Sequence, residues 1–257
     1  MGAATGSVDA VWRIERPEDR DLDRLADHLD DAERSRLARY RRHEDRQRFL
    51  AAHGGLRMLL AERLGLAPEQ VRLGRAPCPL CGELHGRPIA LDDPAGTTFS
   101  IAHASGLVLV AVGAAAMGVD VEPTARSDAA DDLDVTLHPS EQALVARLDP
   151  LARPAAVLGC WVRTEAYLKG LGTGLGTDPA TVAAGPSAGS LEELPGWWVI
   201  DLDVGPDHLA ALALDATSPS GTARAGTAGT GTAGAGTAAT GRGTVTAPSV
   251  AVMDLRL

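Results

Sequence analysis

The pattern of apolar and polar positions predicts alternating short strands and longer helices. Val8 to Ile14 sets Val, Val, Trp and Ile among charged neighbours and predicts a short, edge-like strand. Pro17 to Leu29 is polar and predicts a first helix. From Asp31 to Leu64, Leu37, Tyr40, Phe49, Leu50, Leu56, Leu59 and Leu60 are spaced for the buried faces of a helical region. Gly54-Gly55 inside it marks either a join or a close packing contact. Cys78 to Pro88 reads as a loop. Thr98 to Ala104, Leu107 to Val112 and Gly118 to Val121 read as three strands, followed by helices over Pro139 to Leu148 and Pro154 to Leu171. Trp197 to Val204 and His208 to Leu214 form an expected hairpin, and Val250 to Leu257 a last strand.

These elements divide into an N-terminal α/β half over residues 8–112 and a C-terminal half over 113–215. Residues 216–248 are nearly all Gly, Thr, Ala and Ser. That composition has too little apolar mass to offset ordering entropy, so a disordered insertion is expected. Residues 249–257 are then expected to complete the C-terminal half. No solenoid-type period is present.

Composition narrows the function. The chain has 257 residues, 45% of them hydrophobic and only 3% aromatic, so its core must be mostly aliphatic. A net charge of −10 argues against a general nucleic-acid binder, though it leaves room for a local basic site facing a small phosphorylated ligand. Three cysteines in a chain this long do not form a disulfide framework. Met1 to Pro17 lacks the basic and apolar regions of a secretory signal, and position 6 is Gly rather than the Ser or Thr of a myristoylation motif. Leu107 to Val119 is too short to span a bilayer. A cytoplasmic protein with no membrane and no nucleic-acid partner is expected.

Two constellations carry chemistry. In Gly118-Val-Asp-Val-Glu-Pro123, strand alternation puts Asp120 and Glu122 on one face and Val119 and Val121 in the core. Paired carboxylates at a strand end are either ordinary surface acids or partners of a hard cation such as Mg²⁺. In Trp161-Val-Arg-Thr-Glu-Ala-Tyr-Leu-Lys169, Glu165 and Lys169 project from one helix face. Spacing alone suggests a surface ion pair. Yet Lys169 is the only lysine in the chain, which points to a task suited to a compact ammonium. The glycines from Gly170 to Gly176 follow, either as a helix stop or as a place where ligand meets backbone.

Cys78, Cys81 and His85 amount to half of a zinc site; a fourth ligand such as His53 or Cys160 would have to come from afar. Cys160 by itself reads as a small buried residue on an apolar helix face. The basic run Arg34, Arg36, Arg39, Arg41, Arg42, Arg46 and Arg48 reads mostly as a solvated face, with one to three members turned toward a ligand.

A G-[IV]-D-[IV]-E strand followed by a W-x-x-x-E-[AS]-x-x-K helix resembles the 4′-phosphopantetheinyl transferases of the Sfp type. Arg39-Tyr-Arg-Arg-His-Glu-Asp45, continuing through Arg57-Met-Leu-Leu60, resembles the family's N-terminal arginine-rich helix, His85-Gly-Arg-Pro88 its G-[KR]-P turn and Phe99-Ser-Ile-Ala-His103 its F-N-[LI]-S-H strand. Leu209 to Leu214 resembles its late hairpin strand. The resemblance implies an α+β fold of two similar α/β halves related by a pseudo-twofold axis, with coenzyme A in the cleft between them. It implies a monomer that transfers phosphopantetheine from coenzyme A to a serine of an apo acyl or peptidyl carrier protein. It places Mg²⁺ on Asp120, Glu122 and Glu165, puts Lys169 and His103 at the pyrophosphate, and turns Arg41 and Arg87 to the nucleotide's phosphates. Glu165 or a metal-bound water would take the serine proton, with Glu165 and Lys169 as the catalytic pair. Glu141 falls where the family often carries another acid near the metal or nucleophile.

The chain departs from the pattern at Thr164, where Lys is usual, at Ser100, where Asn is common, and at Ala102 and Ala104, where Ser is common. Each removes an expected hydrogen bond near the pyrophosphate, worth about 1.5–3 kcal/mol when one partner is charged.

Overall fold

The computed structural model describes residues 10–15, 17–91, 93–125, 133–185, 194–216 and 250–255. The Gly/Thr/Ala stretch expected to be disordered lies, from residue 217 onward, outside them.

In chain order the elements are β1 (Ala10–Glu15), α1 (Asp19–Asp27), α2 (Asp31–Leu37), α3 (His43–Leu64), β2 (Leu73–Arg75), β3 (Pro88–Ala90), β4 (Thr98–Ala104) and β5 (Leu107–Gly113). There follow β6 (Met117–Pro123), α4 (Pro139–Val145), α5 (Arg153–Leu171), β7 (Trp197–Leu202), β8 (His208–Asp215) and β9 (Val252–Asp254). This is a mixed α+β fold with two sheets, one of six strands in the order β2-β3-β4-β5-β1-β9 and one of three in the order β6-β8-β7. No helix among the described residues is long and apolar enough to cross a membrane.

Alternation in the strands explains how the layers stack. Leu107, Leu109 and Ala111 of β5 join Met117, Val119 and Val121 of β6 and Leu212 and Leu214 of β8 in one core between the sheets. The intervening Val108, Val110 and Val112 face outward and bury against Leu56, Leu59 and Leu60 of α3. On the far side, Ala211 and Ala213 of β8 bury against Val162, Ala166 and Leu168 of α5. Each sheet therefore has one face on the shared core and one under a helix. Ser100 of β4 ties the sheets together by accepting the backbone N–H of Val119 at 3.0 Å.

Three expectations change. The strand at residues 10–15 is interior, not an edge: β5 flanks it on one side, antiparallel, and β9 on the other, parallel. By that pairing the last strand joins the first sheet rather than completing the second, because β1 offers an open row of backbone groups that Val252–Asp254 satisfies. The helical region from 31 to 64 is broken at residues 38–42. A single straight helix could not bring Leu37, Phe49 and Leu50 into one cluster with Leu25 and Leu29. At Gly54-Gly55 the chain stays helical and packs closely, since a Cβ on Gly55 would stand 2.4 Å from Ile14 Cδ1.

Candidate functional site

The docking of α5 on β6 builds the site. A Cβ on Gly118 would lie 2.0 Å from the Ala166 carbonyl oxygen and 2.4 Å from the Gly170 nitrogen, so only glycine lets helix backbone rest on strand backbone here. Ala213 and Ala211, the cross-strand partners of Gly118 and Asp120, keep that face low. The close approach brings the next outward-facing side chain, Asp120, beneath the last turns of α5.

Asp120 is 6% exposed, and its Oδ1 accepts from Lys169 Nζ at 2.5 Å. The ammonium also stands 4.0 Å from Glu165 Oε2. Asp120 Oδ2 is buried with no hydrogen-bond partner among the described residues. Burial pushes the Asp120 carboxyl up to about 6, with the negative charges of Glu165 and Glu122 adding to the rise and Lys169 opposing it. The carboxylates of Asp120, Glu122 and Glu165 thus share one electrostatic neighbourhood and outnumber its ammonium. A buried, half-satisfied carboxylate with two acidic neighbours is the donor set of a hard divalent cation. These oxygens are not drawn as tightly as the sulfur and nitrogen atoms of Cys78, Cys81 and His85, all within 4.8 Å of one another.

A positive side faces this acidic one. His103, exposed near the end of β4, has its pKa lowered first by loss of water around the ring and then by the positive charges of Arg48, Lys169 and His53. Arg48 comes from α3 and pairs with Asp45. A cavity of about 70 Å³ beside it, lined by Glu44, Arg48, Ala51, Ser105 and Gly106 among others, lies within two residues of His103. Its lining also includes Glu15, so two carboxylates stand there against one guanidinium. Arg87, in the loop before β3, lies beside the end of α5: its backbone nitrogen would be 3.3 Å from a Cβ on Gly172, the left-handed residue (φ 84°) that caps α5.

The structure thus gathers Asp120, Glu122, Glu165, Lys169, His103 and Arg87 around the C-terminal end of α5. Arg41 lies in the exposed connection between α2 and α3, with no hydrogen bond or ion pair among the described residues. Arg48 was present in the basic run, but seven arginines at similar spacing gave no means of singling it out.

The departures prove to be packing. Ala102 and Ala104 are buried in the core between the sheets, and Ser100 is held by Val119. Thr164 is 2% exposed, with an unpartnered hydroxyl, so that position faces the interior. Arg163 forks onto both Asp201 carboxylate oxygens at 2.8 and 2.7 Å and is no substitute phosphate ligand. Glu141 is buried, its carboxylate accepting the backbone N–H groups of Gly185 and His138. Neither His53 nor Cys160 completes a zinc site. His53 is 2.8 Å from Glu33, and Cys160, its thiol raised to about 12 by burial and the nearby Glu141 carboxylate, lies against the Gly185 carbonyl.

A family model described as the 4′-phosphopantetheinyl transferase superfamily matches residues 116–192, the stretch that runs from β6 through α5. The chain is also 30% identical over 212 residues to the 4′-phosphopantetheinyl transferase HetI of Nostoc sp., spanning 79% of this chain and 86% of that protein. It is 28% identical over 150 residues to a putative 4′-phosphopantetheinyl transferase of Synechocystis sp., spanning 57% of this chain and 58% of that one.

Proposed function

Because the chain belongs to the 4′-phosphopantetheinyl transferase superfamily and is a transferase, we propose that the acidic cluster under α5 serves Mg²⁺-dependent loading of carrier proteins. The donor is coenzyme A and the acceptor is a serine hydroxyl of an apo acyl or peptidyl carrier protein. The product left behind is adenosine 3′,5′-bisphosphate. On this reading the two α/β units are related halves with coenzyme A between them, and the chain acts as a cytoplasmic monomer. The observation that carries it is the buried Asp120 carboxylate, with one oxygen on Lys169 and the other unmatched.

In the reaction, the serine oxygen bonds to the phosphorus that bears the pantetheine. The bond from that phosphorus to the bridging oxygen breaks, and the electron pair leaves with the bisphosphate. Asp120, Glu122 and Glu165 would hold Mg²⁺, which supplies Lewis-acid stabilisation of the charge that grows on the phosphate oxygens. Lys169 sets positive charge against the departing oxygen from a position fixed before reaction. Glu165 takes the serine proton. His103, Arg48 and Arg87 hold the phosphates, with Arg41 free to fold over the nucleotide from the rim.

Incubation with apo carrier protein, coenzyme A and Mg²⁺, read by intact mass, is expected to show the phosphopantetheine increment. Glu165→Ala should slow loading by roughly 10²–10⁴-fold, the usual worth of a positioned acid–base group. No increment on any of several carriers that a control transferase loads would overturn the reading.

A further inference from the structure

Cys78, Cys81 and His85 take no part in the chemistry above, yet their turn is built. Cys78 N–H donates to the Glu83 carbonyl at 2.7 Å and Gly82 N–H to the Cys78 carbonyl at 2.8 Å. Gly82 holds a φ of 80°, open to glycine and strained for other residues. This folding turns both sulfurs to one side, where the backbone N–H groups of Leu80 and Cys81 point at Cys78 sulfur. His85 Nε2 stands 3.0 Å from Cys81 Sγ. Cys78 is buried while Cys81 and His85 are exposed, so a fourth coordination position would open to solvent water. Two thiolates and an imidazole are soft or borderline donors that select zinc-like ions over Mg²⁺.

The same loop is wedged against the end of α5. A Cβ on Gly86 would meet the carbonyl oxygens of Ala76 and Pro77 at 2.7 Å, and Ala76 N–H donates to the Arg87 carbonyl at 2.9 Å. Arg87 packs on Gly172, and Leu80 Cδ1 would be 3.3 Å from a Cβ on Gly176. The loop therefore touches the segment after Lys169 at two points.

We propose that Cys78, Cys81 and His85 bind one zinc-class divalent cation, separate from the carboxylate site, and that this ion pins the loop carrying Arg87 against the end of α5. Binding replaces the two thiol protons, which pass to solvent, and uses neutral His85 through Nε2. The pinning half of the proposal rests on the transferase reading; the metal-binding half does not.

The test is anaerobic titration of the reduced full-length protein with Co²⁺. One equivalent is expected to give thiolate-to-cobalt charge-transfer absorption and tetrahedral d–d bands, both erased by Zn²⁺. Cys81→Ser and His85→Ala should each lose the stoichiometric signal, while Cys160→Ser and Asp120→Asn should keep it. The absence of these bands with all thiols titrating free, their persistence in Cys81→Ser, or isolation of a Cys78–Cys81 disulfide that reduction does not convert to a metal site would each overturn it. For the pinning half, a chelator selective for soft cations, in excess Mg²⁺, should raise KM for coenzyme A at least about threefold and leave kcat within about twofold. A fall in kcat with KM unchanged would overturn the pinning. A protein that binds Co²⁺ as described but loads no carrier leaves the metal site standing and removes the transferase reading instead.

Discussion

Each sheet carries a long helix on its outer face, and the two helices take part in buried charge networks of opposite kinds. On α3, Arg57 is 0% exposed and each of its guanidinium nitrogens has a partner on α2 or in residues 68–71: it donates to Glu33 and Asp30 at 2.5 Å each and to the carbonyls of Pro68 and Val71 at 2.9 Å. Asp30 and Glu33 also close a capping box on α2, and Glu33 is bonded to His53. Under α5, Asp120 is almost as deep but has one bonded oxygen, one oxygen without a partner among the described residues, and two acidic neighbours. The first network is complete without help from outside. The second leaves a buried carboxylate oxygen unmatched, and a transferase has a use for an incomplete site.

The contrast extends to titration. Burial alone would raise the Glu33 carboxyl, but the His53 hydrogen bond and the Arg57 charge bring it below the ordinary value. Glu33 therefore contributes stability that is present above the unfolded-state pKa and is lost as pH falls. Asp120, raised from 3.8 to about 6, does the reverse. Its contribution is fully present below 3.8 and is lost as pH rises through about 6.

Breaking the complete network should give the largest effect. Arg57→Met strands two carboxylates and should cost about 3–5 kcal/mol in urea unfolding. Asp120→Asn should act with the opposite sign. In chelator at pH 7.5 it should stabilise the protein by about 3 kcal/mol, since each pKa unit is worth 1.36 kcal/mol, and the gain should fade toward pH 4. Mg²⁺ should stabilise the wild-type protein and leave the variant unchanged. The glycine contacts sharpen the contrast further. Gly118→Ala meets backbone atoms that cannot turn aside, and should cost about 1–3 kcal/mol together with most of the loading activity. Gly55→Ala meets only the tip of Ile14 and should cost less by the same urea measurement. The smallest change is expected for Thr164→Val, which removes an orphaned buried hydroxyl and should leave stability equal or up to about 1 kcal/mol higher.

Apolar runs bounded by turn residues such as Ser105-Gly106 made β4, β5, β6 and β8 legible, and alternation within β6 gave the shared face of Asp120 and Glu122. Helical spacing likewise placed Glu165 beside Lys169. Choice of strand partners was not legible: nothing in Val252–Asp254 says that it pairs with β1 rather than with the second sheet, because that choice belongs to the assembled core. The break at residues 38–42 was hidden for a similar reason, since Arg and Tyr are tolerated in helices and only the Leu25–Leu37–Phe49 cluster forces the turn. Arginine spacing could not separate Arg57, buried as a structural hub, from Arg48, which faces His103. Both lie on one helix, and their roles depend on what the tertiary fold sets opposite them.

β9 makes the order of synthesis matter. Its partner β1 leaves the ribosome long before it, and that side of the larger sheet stays uncovered until residues 252–254 follow. The amino-terminal unit therefore cannot finish on its own during translation; its closing piece arrives only after the α5 site has been made.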